Sequence, residues 1–390
     1  MFERRLRSEF LRSLDGLRFG KLDLTMPDGV TRVFAGDRPG PEAELIIRDW
    51  RMVPALAARG DIGLTEAYRD GWCDSPDLAA LLTLGLMNEE VLDRYIYGKP
   101  MQALAMRLLY LLNRNTRAGS RRNISAHYDL GNDFYQLWLD ETMTYSSALF
   151  GGPAATGMDD LAAAQRCKYD RIIDGLAGRS GRLLEIGCGW GGFAERALQR
   201  GDFAPRGLTL SREQATYARA RLGQGAEIAL QDYRDEESQF DHIVSIEMFE
   251  AVGEKFWPDY FGKLAGALTR NGRAMIQTIT VADRYFDRYR RGGDMIRTFI
   301  FPGGMLPSPA RFRAGAERAG LRVEDAFGFG RDYARTLAQW LDRFDARRAE
   351  VRALGFDDAF IRVWRFYLAA CIASFSVART DVVQYRLAHA

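Results

Sequence analysis

Apolar residues in the C-terminal half come in short runs separated by segments that read as helices. The runs are "RLLEIG" (182–187), "PRGLTL" (205–210), "AEIAL" (226–230), "FDHIVSIEM" (240–248) and "GRAMIQTIT" (271–280). Between them, 192–199, "REQATYARARL" (212–222) and 254–269 fit helices. Regular alternation of this kind predicts an α/β fold built on a doubly wound parallel sheet. Two long helices (332–354 and 357–375) then precede "TDVVQYRLA" (380–388), read as a final strand.

The first hundred residues follow another pattern. "KLDLTMPDGVTRVFAG" (21–36) is two alternating runs around Pro27-Asp28-Gly29, a hairpin signal, and "AELIIRDW" (43–50) reads as a third strand. "LTEAYRDGWCDSPDLAALLTLGL" (64–86) has helical spacing, with Ser75 placed to cap a helix starting near Pro76. The chain therefore divides into a smaller N-terminal α+β domain (1–100), a basic linker helix (101–123) and a larger domain (124–390). The linker is apolar around most of its first half and carries Arg114, Arg117, Arg121 and Arg122 in its second. It fits a buried connector with a solvated tail, or an amphipathic segment lying on an anionic membrane surface.

Composition narrows the chemistry. Lys and Arg (54) nearly balance Asp and Glu (52), so no global field draws the protein to nucleic acid. The four cysteines are scattered without a CxxC pair, which suits a reducing cytoplasm. With three histidines, imidazole-based zinc sites and Ser-His-Asp triads have little material, and no metal is expected. "MFERRLRSEF" lacks the apolar core of a signal peptide, and no run approaches the roughly 20 apolar residues of a membrane span. The expectation is a cytoplasmic protein, associated at most peripherally with the inner face of a membrane.

The chemistry-bearing motif is "LLEIGCGWGGFAERA" (183–197), in which Gly187-x-Gly189-x-x-Gly192 follows a strand and opens a helix. Such glycines allow a tight turn and close backbone approach to a ligand. A nicotinamide dinucleotide would call for an acid at the end of the next strand, but that strand ends in "GLTLS". The acid sits before the loop, at Glu185, which suits the ammonium-bearing tail of S-adenosylmethionine. Asp232, after the third strand, is placed to accept from the adenine amine. These residues predict a methyltransferase rather than a hydride-transfer enzyme.

"SAHYDLGNDFYQLWLDETMTYSSALF" (125–150), the glycine loop, "GLTLSREQ" (207–214), "SIEMFEAVG" (245–253) and "FIFPGGMLPS" (299–308) together resemble the cyclopropane-fatty-acid synthases. The resemblance runs from about residue 60 to the C-terminus. It implies a seven-stranded, Rossmann-like methyltransferase core, an N-terminal domain that presents lipid, and often a homodimer. The implied reaction carries a methyl group from S-adenosylmethionine to the double bond of an unsaturated phospholipid acyl chain. By motif, Tyr145, Ser146, Gly187, Gly189, Thr209, Gln214, Gln231 and Asp232 would line the cofactor. His127 would order a lid.

The resemblance also implies a bicarbonate ion as base, held by a Cys, a Glu, a His and a Tyr. Glu250 and Tyr333 match that set. Ser147 stands at the Cys position and Gln277 at the His position, while a second motif cysteine survives as Cys371. This departure leaves the bicarbonate set incomplete. Glu250, read as ending the fourth strand, is the expected catalytic carboxylate, with Glu247 ranked behind it. Methyl transfer to an alkene leaves a carbocation, which ring faces and a carboxylate stabilise. Tyr285, Phe286, Tyr289, Phe299 and Phe301, in the insertion after "QTIT", are expected to roof an acyl channel, with Arg288, Arg290 and Arg291 beside them. Proton loss from the new methyl closes a cyclopropane; loss from the chain after a hydride shift gives a methylene or methyl-branched product. An amine N-methyltransferase on the same core is the competing class.

Overall fold

A computed structural model describes residues 2–96, 130–151 and 160–390. The linker's arginines and His127 lie outside these residues. The chain forms two compact units whose boundaries do not follow the sequence. The first comprises Met1–Leu112, Arg288–Pro302 and Trp340–Arg379; the second comprises Asn113–Asp287, Gly303–Gln339 and Thr380–Ala390. Residues 288–302 and 340–379, which the sequence places in the larger domain, thus pack with the N-terminal unit.

In the first unit, strands β1 (Phe19–Thr25), β2 (Thr31–Ala35), β3 (Arg38–Ile47) and β4 (Cys73–Asp74) form a sheet of order β2-β1-β3-β4. β1 and β2 are the expected antiparallel hairpin. β4 interrupts the helical reading of 64–86, and the following helix, Leu78–Met87, is capped not by Ser75 but by Asp77. The Asp77 carboxylate accepts from the Ala80 amide at 2.8 Å, a stronger acceptor than the hydroxyl of Ser75, which instead donates to the Asp77 carbonyl. Helix Asp358–Ser376 is long and apolar enough to cross a membrane. In the unit it packs on Leu78–Met87 and Asp61–Arg69, and its Arg362 donates to the Cys73 carbonyl at 2.9 Å.

The second unit is built on seven strands: β5 (Ser180–Ile186), β6 (Asp202–Thr209), β7 (Glu227–Leu230), β8 (Phe240–Ile246), β9 (Leu268–Val281), β10 (Leu321–Gly328) and β11 (Thr380–His389). Their order is β10-β11-β9-β8-β5-β6-β7. From β7 to β9 every pairing is parallel. β11 runs antiparallel to both neighbours, so the sheet is mixed rather than wholly parallel. The reversal follows from connectivity, since β11 enters only after the excursion through 340–379. Apolar side chains from both elements close the core: Leu183, Val244 and Met275 from the strands, Ile172, Ile173 and Phe193 from the helices.

This sheet fixes the glycine loop. The Gly187 and Cys188 amides both donate to the Leu208 carbonyl at the end of β6, each at 2.9 Å. Gly207 makes the approach feasible, because a Cβ there would lie 2.8 Å from both Cys188 Cβ and Ile228 Cδ1. Replacing it (Gly207→Val) is expected to cost about 1–3 kcal/mol of stability by overpacking. It should also weaken S-adenosylmethionine binding by displacing the loop. Urea denaturation and titration calorimetry measure the two effects.

Candidate active site

The loop leaves β5 through Gly187 (φ 82°) and Gly189 (φ 51°), both left-handed, and enters helix Gly192–Arg200. A Cβ on Gly187 would strike Met248 Cγ at 2.9 Å, whereas nothing lies within 4 Å of one on Gly189. The first glycine therefore serves packing and the second leaves the backbone open to a ligand. Trp190 donates to Asn132 Oδ1 at 2.7 Å. Its ring meets Tyr135 at 5.0 Å between centroids, and Tyr135 meets Tyr145 at 5.5 Å. Tyr145 is thus part of an aromatic wall beside the loop.

The other cofactor candidates lie at the carboxyl ends of the strands, where open α/β sheets bind ligands. Thr209 donates to Gln214 Oε1 at 2.8 Å, and both are buried. Gln231 Oε1 accepts from Arg206 at 3.0 Å. Asp232 differs from expectation: Arg234 grips both of its oxygens, at 2.9 and 2.6 Å, so it offers a ligand a neutralised carboxylate. Glu185 is 3 % exposed. Burial holds its carboxyl well above the ordinary range, and the Ala194 amide in the first turn of the helix donates to it. Its Oε2 has no partner among the described residues.

The largest departure concerns the catalytic carboxylate. β8 ends at Ile246, and Glu250 sits in the one-turn 3-10 helix Phe249–Ala251 rather than at the strand end. Ser147, Gln277 and Tyr333 converge on Glu247, three residues earlier. Its Oε1 accepts from the Ser147 amide at 2.9 Å and from Gln277 Nε2 at 2.7 Å. Its Oε2 accepts from the Tyr333 hydroxyl at 2.5 Å. Ser147 contributes through its backbone, because its own hydroxyl turns to the Ala148 carbonyl. Glu247 has a left-handed backbone (φ 50°), rare for a residue with a side chain. Its amide donates to the Gln277 carbonyl.

The polarity of Gln277 is set from behind. Arg171, which can only donate, faces Gln384 Oε1 at 2.8 Å. The Gln384 amide nitrogen then faces Gln277 Oε1 at 3.0 Å, which turns the Gln277 amide nitrogen towards Glu247. Helix Gly330–Ala346, which carries Tyr333, also fixes the segment bearing Ser147. Asp332 accepts from the Phe150 amide at 2.8 Å and Thr336 Oγ1 from the Ala148 amide at 3.1 Å.

Glu250 lies against the same cluster. Its Oε1 accepts from the Thr278 hydroxyl at 3.0 Å and the Ile279 amide at 2.5 Å, and its Oε2 is enclosed without a partner among the described residues. Burial, reinforced by the charge of Glu247, pushes Glu250 up to about 8. Burial also raises Glu247, but there the Tyr333 hydroxyl, the Ser147 amide, Lys168 and Gln277 all pull the other way. Two adjacent carboxylates do not both ionise readily. Glu247, with donors from three segments and the pull of Lys168, keeps the charge, and Glu250 keeps a proton.

Lys168 is the residue that sequence reasoning missed. It is fully buried, donates to Ser146 Oγ at 2.7 Å, and burial lowers it to about 7 against the pull of Glu247, Asp140 and Glu185. Its signal was present: Leu161, Ala164, Lys168 and Ile172 share one face of helix Leu161–Asp174, and a lysine on an apolar face calls for a partner.

The remaining candidates lie elsewhere. The insertion is ordered as helix Asp283–Arg291 and the single π-turn Ile296–Ile300 rather than a loop. Tyr285 and the buried Phe286 belong to the second unit, and Tyr289, Phe299 and Phe301 to the first. Within the first unit Phe301 meets Tyr367 edge-on, Arg297 lies over Tyr289, and Arg288 pairs with Glu89 at 2.8 Å. Cys371 is also in the first unit, on helix Asp358–Ser376, where burial pushes its thiol up.

A glycine loop, a seven-stranded sheet with one reversed strand and an enclosed polar cluster at its carboxyl edge define an S-adenosylmethionine-dependent methyltransferase. A solved mycolic acid cyclopropane synthase, CmaA1 with S-adenosylhomocysteine (SAH) and CTAB, superposes with a TM-score of 0.63 at 31% identity, covering 68% of this chain and 97% of that one. Residues 115–385 match the family model described as mycolic acid cyclopropane synthetase. The chain is 38% identical over 377 residues to the tuberculostearic acid methyltransferase UfaA1 of Mycobacterium tuberculosis, covering 94% of this chain and 87% of that protein. It is 35% identical over 341 residues to the cyclopropane-fatty-acyl-phospholipid synthase of Escherichia coli K12, covering 85% and 84%. The chain belongs to the mycolic acid cyclopropane synthetase family, and its activity is S-adenosylmethionine-dependent methyl transfer to lipid.

The raised Glu250 makes a prediction about stability. The unfolded chain releases this proton near pH 4.5 and the folded chain near 8. Between these values the folded state holds more protons, so stability falls as pH rises, by up to about 1.4 kcal/mol per pH unit from this group. Glu250→Gln keeps the acceptor for Thr278 and Ile279 and removes the titration. The variant should melt above the parent at pH 8, with the gap narrowing towards pH 5 in thermal scans.

Proposed function

We propose that the lipid substrate is an unsaturated acyl chain of a phospholipid, and that the methyl group is added to its double bond. The observation that carries this reading is the enclosed carboxylate pair, Glu247 and Glu250, at the sheet edge beside the glycine loop. An amine brings its own lone pair and leaves no carbon cation, so its methylation has no such cation for the pair to stabilise. An alkene is a weak nucleophile and leaves a carbocation that must be kept from water. A carboxylate in a desolvated site stabilises that charge more strongly than it would in water.

In this reading S-adenosylmethionine supplies the electrophilic methyl group. The chain holds it at the glycine loop, keeps the alkene in line with it, and provides negative charge from Glu247. The neutral Glu250 adds no second charge to repel. Proton loss from the new methyl group closes a cyclopropane, the outcome implied by the resemblance. A second reading, methyl transfer without ring closure, is favoured by one observation: Gln277 and the Ser147 amide hold a carboxylate where the resemblance implies His and Cys side chains. The protein would work at the inner face of a membrane, where such lipids are presented.

The experiment supplies methyl-labelled S-adenosylmethionine and vesicles of monounsaturated phospholipid, and examines the recovered acyl chains by NMR. Label in the acyl chain is expected. Cyclopropane ring protons favour the first fate, and olefinic or branched-methyl signals the second. Label entering only amine acceptors contradicts the proposal.

A further inference from the structure

The bicarbonate ion implied by the resemblance has a defined set of holders, and the geometry here does not fit it. Three of the four positions that would hold the ion, 147, 277 and 333, already direct a backbone amide, a side-chain amide and a hydroxyl at Glu247. A free anion would have to displace that carboxylate and then lie beside it, and like charges at close quarters in a desolvated site repel strongly. The disagreement is specific: the donors for an anion are present, and an anion belonging to the chain occupies them.

We propose that Glu247 replaces the free ion as the general base of this enzyme. The inference rests on the acyl-chain reading of the substrate and adds to it the group that takes the proton. Three features support it. All three donors reach Glu247 with hydrogens of their own, and the Arg171–Gln384–Gln277 relay forces an N–H rather than a carbonyl towards it, so the arrangement holds a carboxylate and not a carboxylic acid. Oε1 takes two of these bonds and Oε2 one, which leaves Oε2 the freer lone pair. The left-handed backbone at 247 turns the side chain over β9 at the strand end, a strained conformation kept at the centre of the site.

The step balances without an added reagent. A C–H bond breaks, on the new methyl group for ring closure or on a carbon next to the cationic one for an alkene. Its electron pair becomes the new C–C bond of a ring or the new C=C bond, and the proton passes to Oε2 of Glu247. The proton returns to solvent when product leaves.

The test compares the parent, Glu247→Gln and Glu247→Gly in buffer freed of carbon dioxide and in buffer with added bicarbonate. Binding of ¹³C-bicarbonate is followed by NMR, and S-adenosylmethionine binding by calorimetry serves as the folding control. Glycine suits the left-handed position, so Glu247→Gly relieves strain while emptying the space. The parent should be indifferent to bicarbonate and bind none. Glu247→Gln should lose about 10²–10⁴-fold in kcat, the usual contribution of a positioned base, with S-adenosylmethionine affinity retained. Glu247→Gly should bind ¹³C-bicarbonate and regain activity when it is added, a rescue that a merely structural glutamate would not show. A parent that binds bicarbonate and is stimulated by it, or a Glu247→Gln variant of near-parental kcat, overturns the proposal. If the parent labels no lipid under any condition, the acyl-chain reading fails by itself. The binding comparison then decides the inference: bicarbonate bound by the parent contradicts it, and bicarbonate bound only by Glu247→Gly supports it.

Discussion

A carboxylate removed from water must be repaid in hydrogen bonds, and much of the second unit is arranged around that requirement at Glu247. The Ser147 amide, the Gln277 side chain and the Tyr333 hydroxyl come from three distant parts of the sequence. An unpaired buried charge costs several kcal/mol, so these elements cannot separate without exposing or protonating it. The cluster is thus both a chemical site and a constraint on how β8, β9, the segment before residue 151 and the helix Gly330–Ala346 pack. Its cost is visible in the left-handed backbone at 247, a conformation of order 1–3 kcal/mol above the relaxed one.

The reversed strand β11 takes on meaning in this light. It places Gln384 opposite Gln277 in register, and through it connects Arg171 to the carboxylate. Gln384 is fully buried, as is Lys168 nearby. Arginine, two glutamines and a glutamate form a chain in which each member has one permitted orientation. Such a relay specifies hydrogen-bond direction, which a hydrophobic core cannot do. Glu250 is kept neutral first by burial and then by the charge that the relay stabilises.

Much of the fold was legible in the chain. β5, β6, β8 and β9 appear as apolar runs because both faces of a central strand are covered, and the glycine loop declares itself by position. β10 escaped because Glu324 and Asp325 break its apolar pattern. They are tolerated on an edge strand, where Arg273 and Arg322 pair with Glu324, and Arg171 with Asp325. At the site, Tyr333 and Gln277 could be named from motifs. Ser147 was named for its side chain yet acts through its amide, which no side-chain reasoning detects. Glu250 was ranked above Glu247 because a motif locates carboxylates without saying which of two receives the donors. That distinction depends on contacts between residues far apart in the chain, such as those of Ser147 and Tyr333 with Glu247, 100 and 86 positions away.

The site holds one charged and one neutral carboxyl, with the charge on Glu247. Infrared difference spectroscopy across a pH step reads this directly, because a protonated carboxyl has a carbonyl stretch that a carboxylate lacks. At neutral pH the parent should show such a band from an enclosed acid. The Glu250 component of that band should vanish in Glu250→Gln and persist in Glu247→Gln, with the contribution of the buried Glu185 common to all three. A band that instead disappears with Glu247 and survives loss of Glu250 would place the charge on the other residue and contradict the account.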